Sequence, residues 1–236
     1  MNKGTIQHRT KFLEKIAGKM HRKPRDMANP IERPKRLFTP EKDVLAHIAG
    51  VDLLPVFYRE CEKILTDVVE TTAASLDNVL RNLVKAHGNG EVVISKDARF
   101  TAFGLKDFSE EDFVYRWDPA KGEENVIVTE RAQTGIMFSD ITLAESATMV
   151  MFNDKDKGRA IGLLPETFIG IIPLSTLVPR MTQAAEEISR RIEAGETIAS
   201  CVNFVSGPSN SADIEYNLVV GVHGPVKVSY IIVTDR

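Results

Sequence analysis

The sequence predicts an α/β protein, a mainly parallel sheet flanked by helices and preceded by a helical, proline-rich extension. Three observations carry that expectation. Wholly apolar runs such as TFIGIIP and TGIMFS read as strands buried on both faces, the habit of parallel sheets. Between them lie stretches with apolar residues at helical spacing, so the chain alternates helix with strand. A break in charge and proline content then separates residues 1–42 from residues 43–236.

Taken in order, Ile6, Phe12, Leu13, Ile16, Ala17 and Met20 recur at nearly helical spacing and predict a short amphipathic helix over residues 5–20. Pro24, Pro30, Pro34 and Pro40 follow among basic residues and favour an extended tether. Beyond Asp52 come the amphipathic DLLPVFYRECEKIL, the strand DVVETT, a helix over 74–87, and the strand entered through GNGEVVIS. FVYRWD reads as a strand, EENVIVTERAQ as a helix, and TGIMFS, ATMVMF and TFIGIIP as further strands. VPRMTQAAEEISRRIEAG is the clearest helix, with Pro179 suited to its first turn and Gly195 as its terminator. ASCVNFVSG then predicts a strand, SNSADIEYNL a helix beginning at Asn210, and VKVSYIIV the final strand.

Composition excludes several classes. No apolar run approaches the roughly 20 residues that span a bilayer, and the N-terminus lacks the apolar core of a secretory signal, so the expected location is cytoplasmic. Two cysteines, Cys61 and Cys201, cannot supply the four thiolates of an ordinary iron–sulfur cluster. Five scattered histidines offer no ligand spacing, so no metal site and no cofactor is expected on this chain alone. Residues 1–42 hold twelve Lys/Arg against four Asp/Glu, and the remainder eighteen against twenty-nine, so a basic arm precedes an acidic body. Without interleaved aromatics or a reader motif, nucleic acid is not the expected partner.

Two segments carry the polar residues of a candidate site. In SGPSNSADIEYNLVVGVHGP, Asn210 is placed to cap a helix and Asp213 to close a capping box, so backbone N–H groups with Ser209, Asn210 and Ser211 would face a small carboxylate. Capping and turn chemistry alone is the alternative, and His223 reads either as a cleft base or as a hydrogen-bonded loop residue. In FSDITLAESATMV a strand ends at Asp140, and a polar turn leads to Glu145. These carboxylates suit acid–base or acyl-transfer work, or else a turn cap and an ion pair. Lys157 and Arg159 are candidate anion contacts, with an exposed hairpin loop as the plainer account, and Arg180, at a helix start where a cation is disfavoured, points to a functional anion and is a candidate substrate-binding residue. The phosphate-loop, nucleophile-elbow and dinucleotide fingerprints are missing.

FSDITLAESAT, LVPRMTQAAEEI and CVNFVSGPSNSADIEYNLVVGVHGP together resemble the lactate utilization protein C family of single-domain LUD proteins, a likeness that extends over essentially the whole chain. Ala147 stands where the family pattern has glycine. The resemblance implies a fold like that of the sugar-phosphate isomerase and CoA-transferase superfamily. It also implies a part in oxidising L-lactate to pyruvate beside two companion iron–sulfur proteins that hold the clusters. Three roles follow as expectations: a cluster-free subunit with Asp140, Glu145 and His223 lining one cleft, an acyl or CoA transferase with Glu145 as nucleophile, or a scaffold whose basic arm clasps its partners.

Overall fold

The structure is a computed structural model that describes residues 6–23, 35, 37–214 and 216–236. It divides into two compact units, residues 1–39 and 40–236. The first contains helix α1 (Arg9–Lys19); of the predicted tether over residues 21–40, residues 24–34 and 36 lie outside the described residues, and Pro40 opens a helix instead of extending the tether.

The second unit holds helices α2 (Pro40–Asp43), α3 (Leu54–Lys63), α4 (Leu76–Ala86), α5 (Arg99–Ala102), α6 (Lys106–Ser109), α7 (Glu124–Arg131) and α8 (Met181–Glu193). Its strands are β1 (Asp67–Thr71), β2 (Val92–Ile94), β3 (Val114–Arg116), β4 (Thr134–Phe138), β5 (Ile141–Leu143), β6 (Thr148–Asn153), β7 (Thr167–Pro173), β8 (Leu177–Val178), β9 (Cys201–Val205), β10 (Asn210–Ile214), β11 (Asn217–Val220) and β12 (Lys227–Val233). The main sheet is six-stranded in the order β1-β12-β7-β4-β2-β3, and every pairing in it is parallel.

Alternation along the central strands divides the core. Ile136, Phe138, Ile169, Ile171, Ile231 and Val233 point to one face, where α4, α5 and α6 cover them with Leu76, Leu80, Phe100 and Phe108. Met137, Phe168, Ile172, Tyr230 and Ile232 point to the other, where Phe57 of α3 and Met149 and Met151 of β6 meet them. Gly170 exists for this close approach, since a Cβ there would stand 2.1 Å from Met149 Sδ.

A second sheet, ordered β8-β5-β6-β9, forms that covering layer. It was not legible as separate: ATMVMF and ASCVNFV are strands as expected, but they pair antiparallel with each other. β5 hides within the supposed polar turn after Asp140, because three residues are too few to show a period and only the ladder to β6 defines them. Val150 and Phe152 turn outward and are covered by Ala184 and Ile188 of α8. Pro179 does not enter α8. Arg180 is the N-cap, its backbone N–H donating to Gln183 Oε1 at 2.9 Å, which fixes the start beyond the proline.

The largest correction concerns residues 210–218, which form no helix. Asn210–Ile214 and Asn217–Val220 are the antiparallel strands of a hairpin. Ile214 and Leu218, read as one helix face, belong to different strands, and Ile214 stands opposite Asn217. β-branched Val219 and Val220 favour the extended form, and Gly221, at φ 83°, supplies the turn that leaves it.

Candidate functional site

The parallel strands have a topological switch point at their C-terminal edge. The chain leaves β2 for α5 and α6 on one face and leaves the neighbouring β4 for β5 and β6 on the other, opening a crevice between adjacent strand ends. The segments entering it are Ser95–Arg99 after β2 and Ser139–Asp140 after β4.

Arg99 fills the crevice. Its Nε donates to both Asp97 carboxylate oxygens at 3.0 Å, its Nη1 to the Ser139 carbonyl at 2.8 Å, and its Nη2 to Asp97 Oδ2 at 2.6 Å and Asp140 Oδ1 at 2.7 Å. The guanidinium carbon also lies 5.0 Å from the centre of the Phe138 ring. Burial works against charge on both partners, but the mutual hydrogen bonds and opposite charges outweigh it, so Arg99 is held above and Asp97 below its ordinary range.

Asp140 is tied on its second oxygen too. Oδ2 accepts the Phe152 backbone N–H at 2.8 Å, and Lys157 Nζ stands 4.0 Å away. A carboxylate with both oxygens engaged by Arg99 and the β6 backbone joins the two sheets; its geometry is that of a positioning residue. Two buried polar atoms nearby have no hydrogen-bond partner among the described residues: Ser95 Oγ just after β2 and Asn153 Oδ1 at the end of β6. Unsatisfied buried groups of this kind are uncommon and mark places where structure yields to another demand.

Two cavities flank the end of β6 and share Asn153, Asp154 and Ser200. One, of about 470 Å³, is also lined by Lys157, Arg191 and Thr197. The other, of about 450 Å³, adds Lys155 and Arg159. Neither Lys155 nor Arg159 makes an ion pair with a described residue, while Lys157 is 3.5 Å from Asp154 and Arg191 2.7 Å from Glu187. Cationic side chains with hydroxyls beside them suit a small organic acid, although Asp154 lines both cavities and Glu196 the first.

Glu145 lies beyond the opposite end of β5 from Asp140, so three strand residues, about 10 Å, separate the two carboxylates. The anion expected for Arg180 is Glu145 itself, with Nε 2.6 Å from Oε2. That Nε has no aligned hydrogen-bond acceptor, so the contact is an ion pair more than a directed bond. Arg180 Nη1 donates to the Pro40 carbonyl at 2.6 Å. Ala147, two residues on, is left-handed at φ 48° and fully buried, a backbone conformation that favours glycine.

The hairpin stretch lies at the other edge of the sheet. Ser206, Ser209, Asn210 and His223 line a cavity of about 270 Å³ with Phe168 and Val228, early residues of β7 and β12, so this is the N-terminal side of the strands. The donors expected to meet an anion are largely spent locally. Ser209 N donates to the Pro225 carbonyl at 2.9 Å, and Ser209 Oγ accepts the His223 backbone N–H at 3.1 Å. Asn210 Nδ2 reaches the Pro208 carbonyl, and Ser211 Oγ and Asp213 hydrogen-bond one another at 3.2 Å. Asp140 and His223 therefore line no common cleft, and a helix start at Ser209–Asp213 does not exist to receive a carboxylate.

Asp97, Arg99, Ser95 and Asn153 were missed in the sequence. Their one signal was position, since SKDAR directly follows an apolar strand and Asn153 ends another. Cys61 is buried, and desolvation pushes its thiol up to about 12; Cys201 lies on β9, and the two are unpaired. Among the described residues no group of three His, Cys, Asp or Glu converges on a metal position, and no helix is long and apolar enough to cross a membrane.

The family model of the LUD domain matches residues 54–233. Lactate utilization protein C of Geobacillus kaustophilus (strain HTA426) is 49% identical over 242 residues, covering 100% of both chains. Lactate utilization protein C of Bacillus subtilis (strain 168) is 46% identical with the same coverage. Among solved structures, a DUF162 family protein from Deinococcus radiodurans superimposes with a TM-score of 0.57 at 22% identity, covering 79% of this chain and 99% of that one, which bears on the fold.

Proposed function

This chain belongs to the LUD-domain family, and from that premise we propose that it takes part in L-lactate utilization as a cluster-free component of the system that oxidises L-lactate to pyruvate. The observation that carries this reading is the end-to-end identity, 46–49%, with relatives named lactate utilization protein C. Oxidation of the hydroxyl carbon removes two electrons and two protons. A chain with two cysteines is not equipped to hold an ordinary four-thiolate cluster; on the resemblance to lactate utilization protein C, the electrons would pass to two companion iron–sulfur proteins. This chain's share is to bind and orient the acid.

Strand-end geometry favours the cavities beside Asn153 for that task. Lys157 in one cavity and Arg159 in the other offer the cation that would meet the carboxylate, Ser200, common to both, offers a hydrogen bond, and the Arg99–Asp97–Asp140 cluster ties the neighbouring strand ends. The stand-alone transferase reading finds less support, because Glu145 is already paired with Arg180. Deleting the gene should abolish growth on L-lactate and leave growth on glucose intact. Growth on L-lactate restored by the wild type but not by a Lys157→Ala/Arg159→Ala double variant of equal abundance is the expected result. Unimpaired growth of the deletion strain on L-lactate would overturn the reading.

A further inference from the structure

The cations at the two cavities beside Asn153 ride on one short turn. Asp154 and Lys157 form an isolated antiparallel bridge, and Asp154 Oδ1 accepts the backbone N–H groups of Asp156 at 2.8 Å and Lys157 at 3.0 Å. Lys157 lines one cavity and Lys155 the other, where Arg159 joins it from just beyond Gly158. Like charges this close repel, and on an untethered turn such long side chains would spread into water.

The turn is tethered by its carbonyls. Three in succession are each held from a different segment: Lys155 O by the Trp117 Nε1–H at 3.0 Å, Asp156 O by the Lys96 backbone N–H at 2.9 Å, and Lys157 O by the Asn153 Nδ2–H at 2.9 Å. Trp117, one residue beyond β3, is itself anchored, its backbone N–H donating to the Ile94 carbonyl of β2 at 2.9 Å. Gly158 closes the turn against the indole, since a Cβ there would stand 2.2–2.5 Å from three ring atoms. Its φ of −64° is one that any residue adopts, so the glycine answers to the ring and not to the backbone. The indole lines neither cavity.

We propose that Trp117 is a positioning residue for the organic acid, holding the turn at residues 154–158 through one hydrogen bond and one ring face so that its cations stay at the cavities. The proposal rests on the reading of those cavities as the acid's seat. Because the indole acts through the turn, its loss weakens binding of the acid and spares the chemical step.

Steady-state L-lactate oxidation tests this, with the full chain reconstituted beside two iron–sulfur proteins of the kind the proposed function requires, and with KM and kcat read separately. Trp117→Phe removes the donor and shortens the ring, while Gly158→Ala drives a methyl group into the indole. Each should raise KM about fivefold and leave kcat within about twofold of the wild type. The two changes should also compensate: the smaller ring makes room for the methyl group, so the double variant should have a lower KM than Gly158→Ala alone. Should Trp117→Phe fail to fold, Gly158→Ala decides. An unchanged KM in these variants, a loss confined to kcat, or a double variant in which the two effects simply multiply would overturn the proposal. If Lys157→Ala/Arg159→Ala raises KM while Trp117→Phe and Gly158→Ala do not, the positioning role falls and the acid site stands; if none of them raises KM, both fall.

Discussion

The two edges of the parallel sheet use polar residues in opposite ways. At the N-terminal edge, most hydrogen bonds of Ser206–Pro225 are local, as in the exchange among Ser209, Pro225, Gly221 and His223, although Ser206 Oγ reaches Thr148 Oγ1 and Gly207 N–H the Tyr230 hydroxyl. At the C-terminal edge fewer polar residues, drawn from segments far apart in sequence, meet in one buried cluster and leave Ser95 Oγ and Asn153 Oδ1 nearby without a partner among the described residues, against His87 Nδ1 at the N-terminal edge. Density of polar residues in the sequence thus marks a loop that closes on itself. Convergence of polar residues at a strand switch marks a place that closes on something else.

Substitutions that strike each edge separately sharpen that contrast. The largest effect is expected at Arg99, which is 24% exposed and neutralises two carboxylates. Arg99→Ala leaves Asp97 and Asp140 uncompensated and should cost about 3 kcal/mol in denaturant unfolding. Ser209→Ala at the opposite edge loses one local hydrogen bond and should cost about 0.5–1 kcal/mol. Equal losses would break the comparison.

Next in size is a pH effect at the hairpin edge. His87, 3% exposed, hydrogen-bonds Ser229 Oγ through Nε2, and burial first, with Lys227 second, pushes it down to about 4 from an ordinary 6.5. The unfolded chain therefore binds the proton more readily between those values. Stability from the neutral ring is complete above the unfolded value and is lost as pH falls toward 4, by up to about 3 kcal/mol. Unfolding free energies of wild type and His87→Gln measured from pH 7 to pH 4 should converge on acidification; parallel curves would remove the histidine from the account.

Gly170→Ala tests the layer that carries the C-terminal cluster. Its new Cβ meets Met149, a flexible side chain, so a loss of about 1–3 kcal/mol is expected in thermal unfolding. The smallest effect belongs to Glu145→Gln, which breaks a half-exposed pair worth at most about 1 kcal/mol. Lactate-dependent turnover should survive it; loss of turnover with folding intact would revive Glu145 as a nucleophile.

The α/β class was legible because β4 and β7 are buried on both faces and read as apolar runs, while β12 showed the alternation of a strand. β5 was not, since three residues gain their identity from β6. SNSADIEYNL misled because capping residues and turn residues are chemically the same, so Asn210 and Asp213 fit a helix start and a bulged hairpin alike. Asp140 was found from its place at a strand end, but its partner Arg99, 41 residues earlier, comes near only through the parallel neighbourhood of β2 and β4. Arg180 was read as meeting a substrate anion, whereas the structure pairs it with Glu145 of the same chain.

The most direct measurement is L-lactate-dependent reduction of an artificial acceptor by this chain reconstituted with the two iron–sulfur proteins that the proposed function calls for, comparing Arg159→Ala and Lys157→Ala with Ser209→Ala and His223→Ala. The account predicts that the first pair raises KM for L-lactate about tenfold, the loss of roughly 1.4 kcal/mol of carboxylate binding, and that the second pair stays near the wild type. A raised KM in the Ser209 and His223 variants, with Arg159 and Lys157 silent, would contradict it and return the acid to the hairpin edge.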